Sequence, residues 1–317
     1  MRIKLGIIFM KTFVVAVFLA LAACSAENPR ETYLSVSDGK GGARTLLRVA
    51  GEEPARGYEI KWRELKSREA LDALYAGAVD IAGVGDTALI NGRARGLPIK
   101  VITAWRITNE NTAIVTRADS PVHAVGDLGG RKVCVTRGAM EHFLLLKAVE
   151  AAKLPQGAVD TAYLTPSDCR VALDSGAVAA WASAGSYTIS ELLRNKARIL
   201  ISGDSVVPGF GIIVATEKSI KEKRPAIEDF VARLRRARLW ALDHPEAYAE
   251  AIAAETGTPY DIALLQVKRD SAEPVPVAGL EGPMREIQRV FVDAGVINTP
   301  IEVRAALDIS FDRPNNP

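Results

Sequence analysis

The sequence predicts an α/β protein of two lobes. Three observations carry that prediction. Short β-rich runs alternate with helical patterns from Tyr33 onward, a second block of the same kind opens near Thr112, and a returning strand at Ile212 to Ala215 precedes a helical remainder. Alternation of this kind marks βαβ units and a mostly parallel sheet.

In the first block, Tyr33 to Ser37 reads as a strand, and Gly39, Gly41 and Gly42 make the turn into a helix over Arg44 to Ala50. Tyr58 to Glu64 is the next strand. Ala70, Leu71 and Leu74 then recur at helical spacing, with Gly77 as the stop. Val79 to Val84 is a strand that runs into Gly85-Asp86-Thr87, and Ile99 to Ala104 is another. In the second block, Ala113 to Thr116 and Lys132 to Thr136 are strands, with a short helical turn at Val125 to Leu128 between them. A helix runs from Ala139 to about Lys153, Ala162 to Leu164 is a strand, Ser167 to Asp174 a helix and Val178 to Trp181 a strand. After the returning strand come helices over Ala226 to Leu242, Pro245 to Glu255, Pro259 to Lys268 and Leu280 to Ala294. Pro274 and Pro276 break the last two apart.

The 317 residues carry 40 basic and 38 acidic side chains. Arg2, Lys4 and Lys11 precede Cys24 with no acid among them, so 37 basic residues face 38 acidic ones beyond that point. Nucleic acid, which calls for a strongly basic face, is not an expected partner. The basic start, the apolar run Phe13 to Leu21 and the small residues Ala22-Ala23 before Cys24 describe an export signal over residues 1–23. That run is shorter than the roughly 20 apolar residues that cross a bilayer. Leu21-Ala22-Ala23-Cys24 resembles the lipobox of bacterial lipoproteins, which implies a diacylglycerol on Cys24, a polar tether over 24–31 and membrane anchoring outside the cytoplasm. Met10, directly before Lys11, is an alternative start.

Several segments match one family together. They are Ala70-Leu71-Asp72-Ala73-Leu74-Tyr75-Ala76-Gly77-Ala78-Val79-Asp80-Ile81-Ala82-Gly83-Val84-Gly85-Asp86, Asp119-Ser120-Pro121 with Val125-Gly126-Asp127-Leu128-Gly129-Gly130-Arg131-Lys132-Val133, and Arg137-Gly138 leading to His142-Phe143-Leu144-Leu145. Tyr163-Leu164-Thr165-Pro166-Ser167-Asp168, Asp243-His244-Pro245-Glu246-Ala247-Tyr248 and Gly295-Val296-Ile297-Asn298-Thr299-Pro300 complete the set. In this order and spacing they resemble the solute-binding proteins of ABC importers for aliphatic sulfonates, taurine and nitrate. The resemblance implies a type II periplasmic-binding fold, with residues 32–105 and 206–317 in one lobe and 106–205 in the other. It further implies a monomer without cofactor or catalysis that closes on a small, anionic solute and delivers it to a permease in the inner membrane.

Ligands of open α/β sheets bind beyond the carboxyl ends of the strands, so the strand-to-helix loops are the candidate site. Thr136-Arg137-Gly138-Ala139 leads, offering a hydroxyl, a cation and free N–H groups at a helix start. Asp86 and Thr87 hold the equivalent place in the first lobe, where Asp86 also suits a helix cap. Asp38, Gly39 and Lys40 form a third loop, and Trp181 is expected to wall the cleft. Two departures from the resemblance bear on ligand identity. Ala184-Gly185-Ser186-Tyr187 stands where relatives carry Trp-Asp-Pro, and Ser37-Asp38-Gly39-Lys40 where they carry an aromatic and a glutamine.

His123, His142 and His244 show no ligand spacing, so no metal site is expected; a polar helix face is the reading for His142. Cys134 reads as a buried core thiol, with a Cys134–Cys169 disulfide as the alternative. Arg233, Arg235, Arg236 and Arg238 read as a solvated helix face, with docking to a permease as the sharper alternative. An enzyme on the same fold acting on a small organosulfur or pyrimidine-type compound, and a sensor domain for a membrane kinase, are the competing functions.

Overall fold

Residues 33–312 are described by the computed structural model, apart from 54, 56, 66, 195, 205 and 270–272. The expected signal peptide, tether and lipidated Cys24 lie outside the described residues.

The chain begins with β1 (Tyr33–Asp38), α1 (Ala43–Val49), β2 (Glu59–Glu64), α2 (Ser67–Tyr75), β3 (Ile81–Gly85), α3 (Asp86–Ala94) and β4 (Ile99–Arg106). It continues into β5 (Ala113–Arg117), β6 (Lys132–Val135), α4 (Met140–Ala151), β7 (Asp160–Tyr163), α5 (Pro166–Asp174), β8 (Ala180–Ser183), α6 (Ser186–Leu193) and β9 (Ala197–Ser202). It returns through β10 (Phe210–Thr216), α7 (Glu217–Glu222), α8 (Arg224–Asp243), α9 (Pro245–Thr256), α10 (Tyr260–Arg269), β11 (Pro274–Val275) and α11 (Glu281–Asp293). The first sheet has the order β11-β4-β10-β3-β1-β2 and the second β7-β6-β8-β5-β9. Each lobe is built round one of them.

Local chemistry explains the boundaries. Thr165 accepts the Asp168 N–H at 3.3 Å and Pro166 occupies the first turn, so α5 starts there. Gly257, at φ 73°, ends α9 in the left-handed conformation. In α8, Ile227, Phe230, Val231, Leu234, Ala237 and Ala241 recur at helical spacing and are buried. They pack with Leu34 and Val36 of β1 and Leu46 and Leu47 of α1. β10 is buried along its whole length, as its unbroken apolar reading requires of a central strand. It runs antiparallel between β3 and β4, pairing Ile212 with Val84 and with Ala104.

Asp80, just before β3, ties this lobe together. One carboxylate oxygen accepts the Ser35 N–H at 2.8 Å and the Lys223 ammonium at 2.7 Å, and the other accepts the Ser219 hydroxyl at 2.7 Å. The acidic side chain is only 13% exposed.

Two crossovers, 107–112 and 203–209, join the lobes side by side. Ile107 donates to Gly209 O at 3.0 Å, Gly203 to Thr112 O at 2.7 Å, and the Asn109 amide to Val207 O at 3.0 Å. A Cβ at Gly209 would stand 2.0 Å from that amide nitrogen, so only glycine admits this contact.

Three expectations change. Cys134 and Cys169 form a disulfide with their Cα atoms 5.6 Å apart, so Cys134 is not a core thiol. β6 pairs with β7 through Cys134 and Ala162, and α5 folds back from β7 over β6, which brings Cys169 onto Cys134. The arginines of α8 are not a uniformly solvated face, although Arg236 is exposed. Arg233 is 5% exposed and Arg236 grips both oxygens of Glu52 at 2.7 and 2.8 Å. His142 is 2% exposed, packed between Tyr163 and Phe291, with ring centroids 5.4 and 5.9 Å away. Helices α6 and α7 and strands β9 and β11 are additions to the elements legible in the sequence, β11 lying at the expected break at Pro274.

Candidate functional site

At the end of β1, Asp38 turns back on its own helix. Its carboxylate accepts the Arg44 N–H at 2.8 Å, and a Cβ at Gly42 would lie 2.3 Å from it, so glycine is needed there. Burial raises the Asp38 pKa and the backbone N–H groups oppose the rise. Gly39 and Lys40 line a small cavity of about 110 Å³ with Asp38 and Trp62. Lys40 leans to the sheet edge, 3.7 Å from Glu64.

After β3, Asp86 is fully buried and Thr87 6% exposed. One Asp86 oxygen accepts the Thr87 N–H at 2.7 Å; the other is buried with no hydrogen-bond partner. Burial pushes this carboxyl up to about 7 against the pull of the Thr87 and Phe210 N–H groups. The folded protein therefore keeps a proton between about pH 4 and 7 that the unfolded chain has released. This group's contribution to stability is complete below about pH 4 and lost as the pH rises toward 7. Asp86→Asn should accordingly raise the Tm of the unliganded protein at about pH 8 and leave it unchanged near pH 4. Equal shifts at both values would contradict a proton held on Asp86.

The loop after β6 differs from expectation in one respect. Gly138, at φ 73°, donates its N–H to His142 Nδ1 at 3.1 Å, which places the ring proton on Nε2. Burial, seconded by the charge of Arg137, pushes His142 down to about 4 and keeps it neutral. Gly138 O accepts the Asn91 amide of α3 at 3.1 Å, a hydrogen bond between the lobes. Thr136 lies beside Glu141, whose carboxyl burial raises, and Ala139 caps α4 without a side-chain bond. Arg137, however, is exposed and makes its contacts outside the loop. Its guanidinium meets Gly295 O at 3.5 Å and lies 5.2 Å from the centre of the Tyr163 ring. Tyr163 and Gly295 offer it a ring face and a carbonyl from outside the loop.

Trp181, expected at the wall of the cleft, lies in a core. It is 1% exposed and packs with Cys134, Cys169 and Leu173 behind the second sheet, with Tyr187 edge-on at 5.8 Å. The inward face of β8 claims it for the core.

Three groups at the carboxyl edge of the first sheet were not expected. Ser37 Oγ is buried without a partner. Trp105, next to the end of β4, lies beside Gly211 of β10. Arg238 of α8 places its guanidinium carbon 3.3 Å from the centre of the Trp105 ring, and its Nε is buried without a partner. Burial pushes Arg238 down to about 10, opposed by Tyr248 and Asp38. A signal for Arg238 exists in the sequence. It falls four residues after Leu234 and three before Ala241, on the flank of the apolar stripe.

Gly211 makes this arrangement possible. A Cβ there would stand 2.0 Å from a Trp105 ring carbon. Gly211→Ala should cost about 1–3 kcal/mol as the indole is displaced. Urea unfolding checks this, and an unchanged midpoint would contradict the packing.

Two α/β lobes, joined by paired crossovers and turning strand-end loops toward one another, define the architecture of a periplasmic binding protein. The chain belongs to the NMT1/THI5-like family, which it matches over residues 59–248. It is similar to a protein of Escherichia coli (strain K12) named for aliphatic sulfonate binding, 31% identical over 199 residues. That match covers 62% of this chain and 60% of the relative's length. Among solved structures, it is similar to the periplasmic aliphatic sulphonate binding protein SsuA of Escherichia coli, with a TM-score of 0.80, 24% identity, and coverage of 86% of this chain and 96% of that one. The alkanesulfonate-binding SsuA of Xanthomonas axonopodis pv. citri, bound to MOPS, gives a TM-score of 0.77 at 21% identity, covering 89% and 99%.

Proposed function

We propose that this protein is an extracytoplasmic solute-binding protein that captures a small anionic organic solute of the sulfonate class between its lobes and delivers it to an ABC permease. One observation carries the reading. At the carboxyl edge of the first sheet, Ser37 Oγ, Asp86 Oδ2 and Arg238 Nε are buried and lack hydrogen-bond partners. Buried polar atoms are ordinarily paired, and an orphaned one costs about 1–3 kcal/mol. A solute held there would supply the missing partners. The family and the sulfonate-binding names of its relatives support the same class of ligand. Binding without turnover fits the two cysteines joined in a disulfide, which leaves neither thiol as a nucleophile. Anchoring through a lipid on Cys24 belongs to this proposal on the strength of the sequence before it.

The test is a thermal-shift series on the full chain in detergent with alkanesulfonates, taurine, nitrate and sulfate. A ligand at about a hundred times its Kd adds about 2.7 kcal/mol to stability. A rise in Tm with an alkanesulfonate and none with sulfate is the expected result. No shift with any of the four would reject the sulfonate class.

A further inference from the structure

Helix α8 carries four arginines near its middle, and three of them are committed within the protein. Arg233 donates to Asp229 at 2.9 Å, to the Tyr58 hydroxyl at 2.8 Å and to Glu52 O. Arg236 holds Glu52, and Arg235 lies 3.8 Å from Asp312. Arg238 makes no hydrogen bond and no ion pair among the described residues, although its Nε is buried. Burying a cation without a hydrogen-bond acceptor is unfavourable, and the attraction of Tyr248 and Asp38 offsets it only in part. What it does have is the Trp105 ring beneath it. Stacking engages the face of a guanidinium and leaves its N–H edge pointing outward in the plane, a fork matched to two oxygens of one acid group. The nearby carboxylate, Asp38, is engaged with the Arg44 N–H.

We propose that Arg238 is the anion anchor of the cleft: Nε and one terminal nitrogen donate to two oxygens of the solute's acid group, which docks on the first lobe against the Arg238–Trp105 stack. The inference rests on the reading of the cleft as a solute site, and it places the acid group at the first lobe rather than at the loop after β6, where Arg137 is engaged with Gly295 O and the Tyr163 ring. The other acid at this edge, Asp86, is raised toward 7 by burial, which lowers the negative charge that a bound anion meets there below neutral pH.

The experiment is calorimetric titration of the full chain in detergent with butanesulfonate, butanoate, butylphosphonate and the neutral butyl methyl sulfone. Wild type, Arg238→Met and Arg238→Lys are compared, with the Tm of each unliganded protein. Wild type should prefer one acid to the sulfone. Arg238→Met should bind that acid about a hundredfold more weakly, and Arg238→Lys, a point cation without the fork, should recover part of the loss. The unliganded Arg238→Met protein should keep or gain Tm, because a half-buried cation whose Nε has no hydrogen-bond partner has been removed. If Arg238→Met binds the acid as wild type does, the anchor is wrong and the solute-binding reading survives. If wild type takes only the carboxylate or the phosphonate and needs Arg238 for it, the anchor stands and the sulfonate class falls. If wild type binds none of the acids, both fall. A lower Tm in both variants alongside lost binding would assign Arg238 to the scaffold and overturn the proposal.

Discussion

Reduction of the Cys134–Cys169 disulfide should lower the unfolding free energy by about 4 kcal/mol. The bridge closes a loop across 35 residues of sequence, and chain-entropy arguments give about that value for a loop of this size. It also ties α5 to the middle of the second sheet, next to Trp181. Of the four tryptophans, Trp62, Trp105 and Trp240 lie in the first lobe and Trp181 in the second. Urea unfolding followed by fluorescence, with and without reductant, should therefore show an early Trp181 transition in the reduced protein. Coincident midpoints under both conditions would mean that the bridge adds nothing to the folded state over its thiols.

Asp80→Ala should be of similar severity, at about 3–5 kcal/mol. Removing the carboxylate strands the Lys223 ammonium, which is 22% exposed, and takes acceptors from Ser35 N–H and the Ser219 hydroxyl. These partners come from β1, the region before α8, and α7, so one substitution loosens three elements of the first lobe. Asp80→Asn should cost less, since it keeps an acceptor for the N–H. Denaturant midpoints decide, and equal losses for the two variants would show that the charge with Lys223 dominates over the acceptor geometry.

Much of the fold was legible because its signals are local. Gly77 does sit at positive φ after α2, and β10 is central because its apolar run allows nothing else. α6 and β9 escaped for a physical reason. β9 lies at the sheet edge with Ile199 40% exposed, so its burial pattern is weak. The site was less legible, because a side chain's partners are set by tertiary packing. Arg137 occupies the expected strand-to-helix loop, yet its partners, Gly295 O and the Tyr163 ring, come from elsewhere in the chain. Arg238 lies more than a hundred residues further along the chain, in a helix whose charges look solvated until β4 and α9 are placed against it. Trp181 and Cys134 follow the same logic. Strand alternation says that each points to one face or the other, but only the docking of α5 and α6 says that this face is a core.

The placement of β10 has a consequence for how the molecule comes into being. The second lobe's sheet is encoded by one unbroken stretch, from β5 to β9, and can be completed as soon as that stretch emerges. The first lobe's sheet cannot, because β3 and β4 are held apart by a strand that arrives only after the whole of the second lobe. A chain arriving from its N-terminus would thus carry an unfinished first sheet while its second sheet is already whole. Closing so distant a pairing is slow. The lobe that begins the sequence is the one that finishes last, and the paired crossovers form with it.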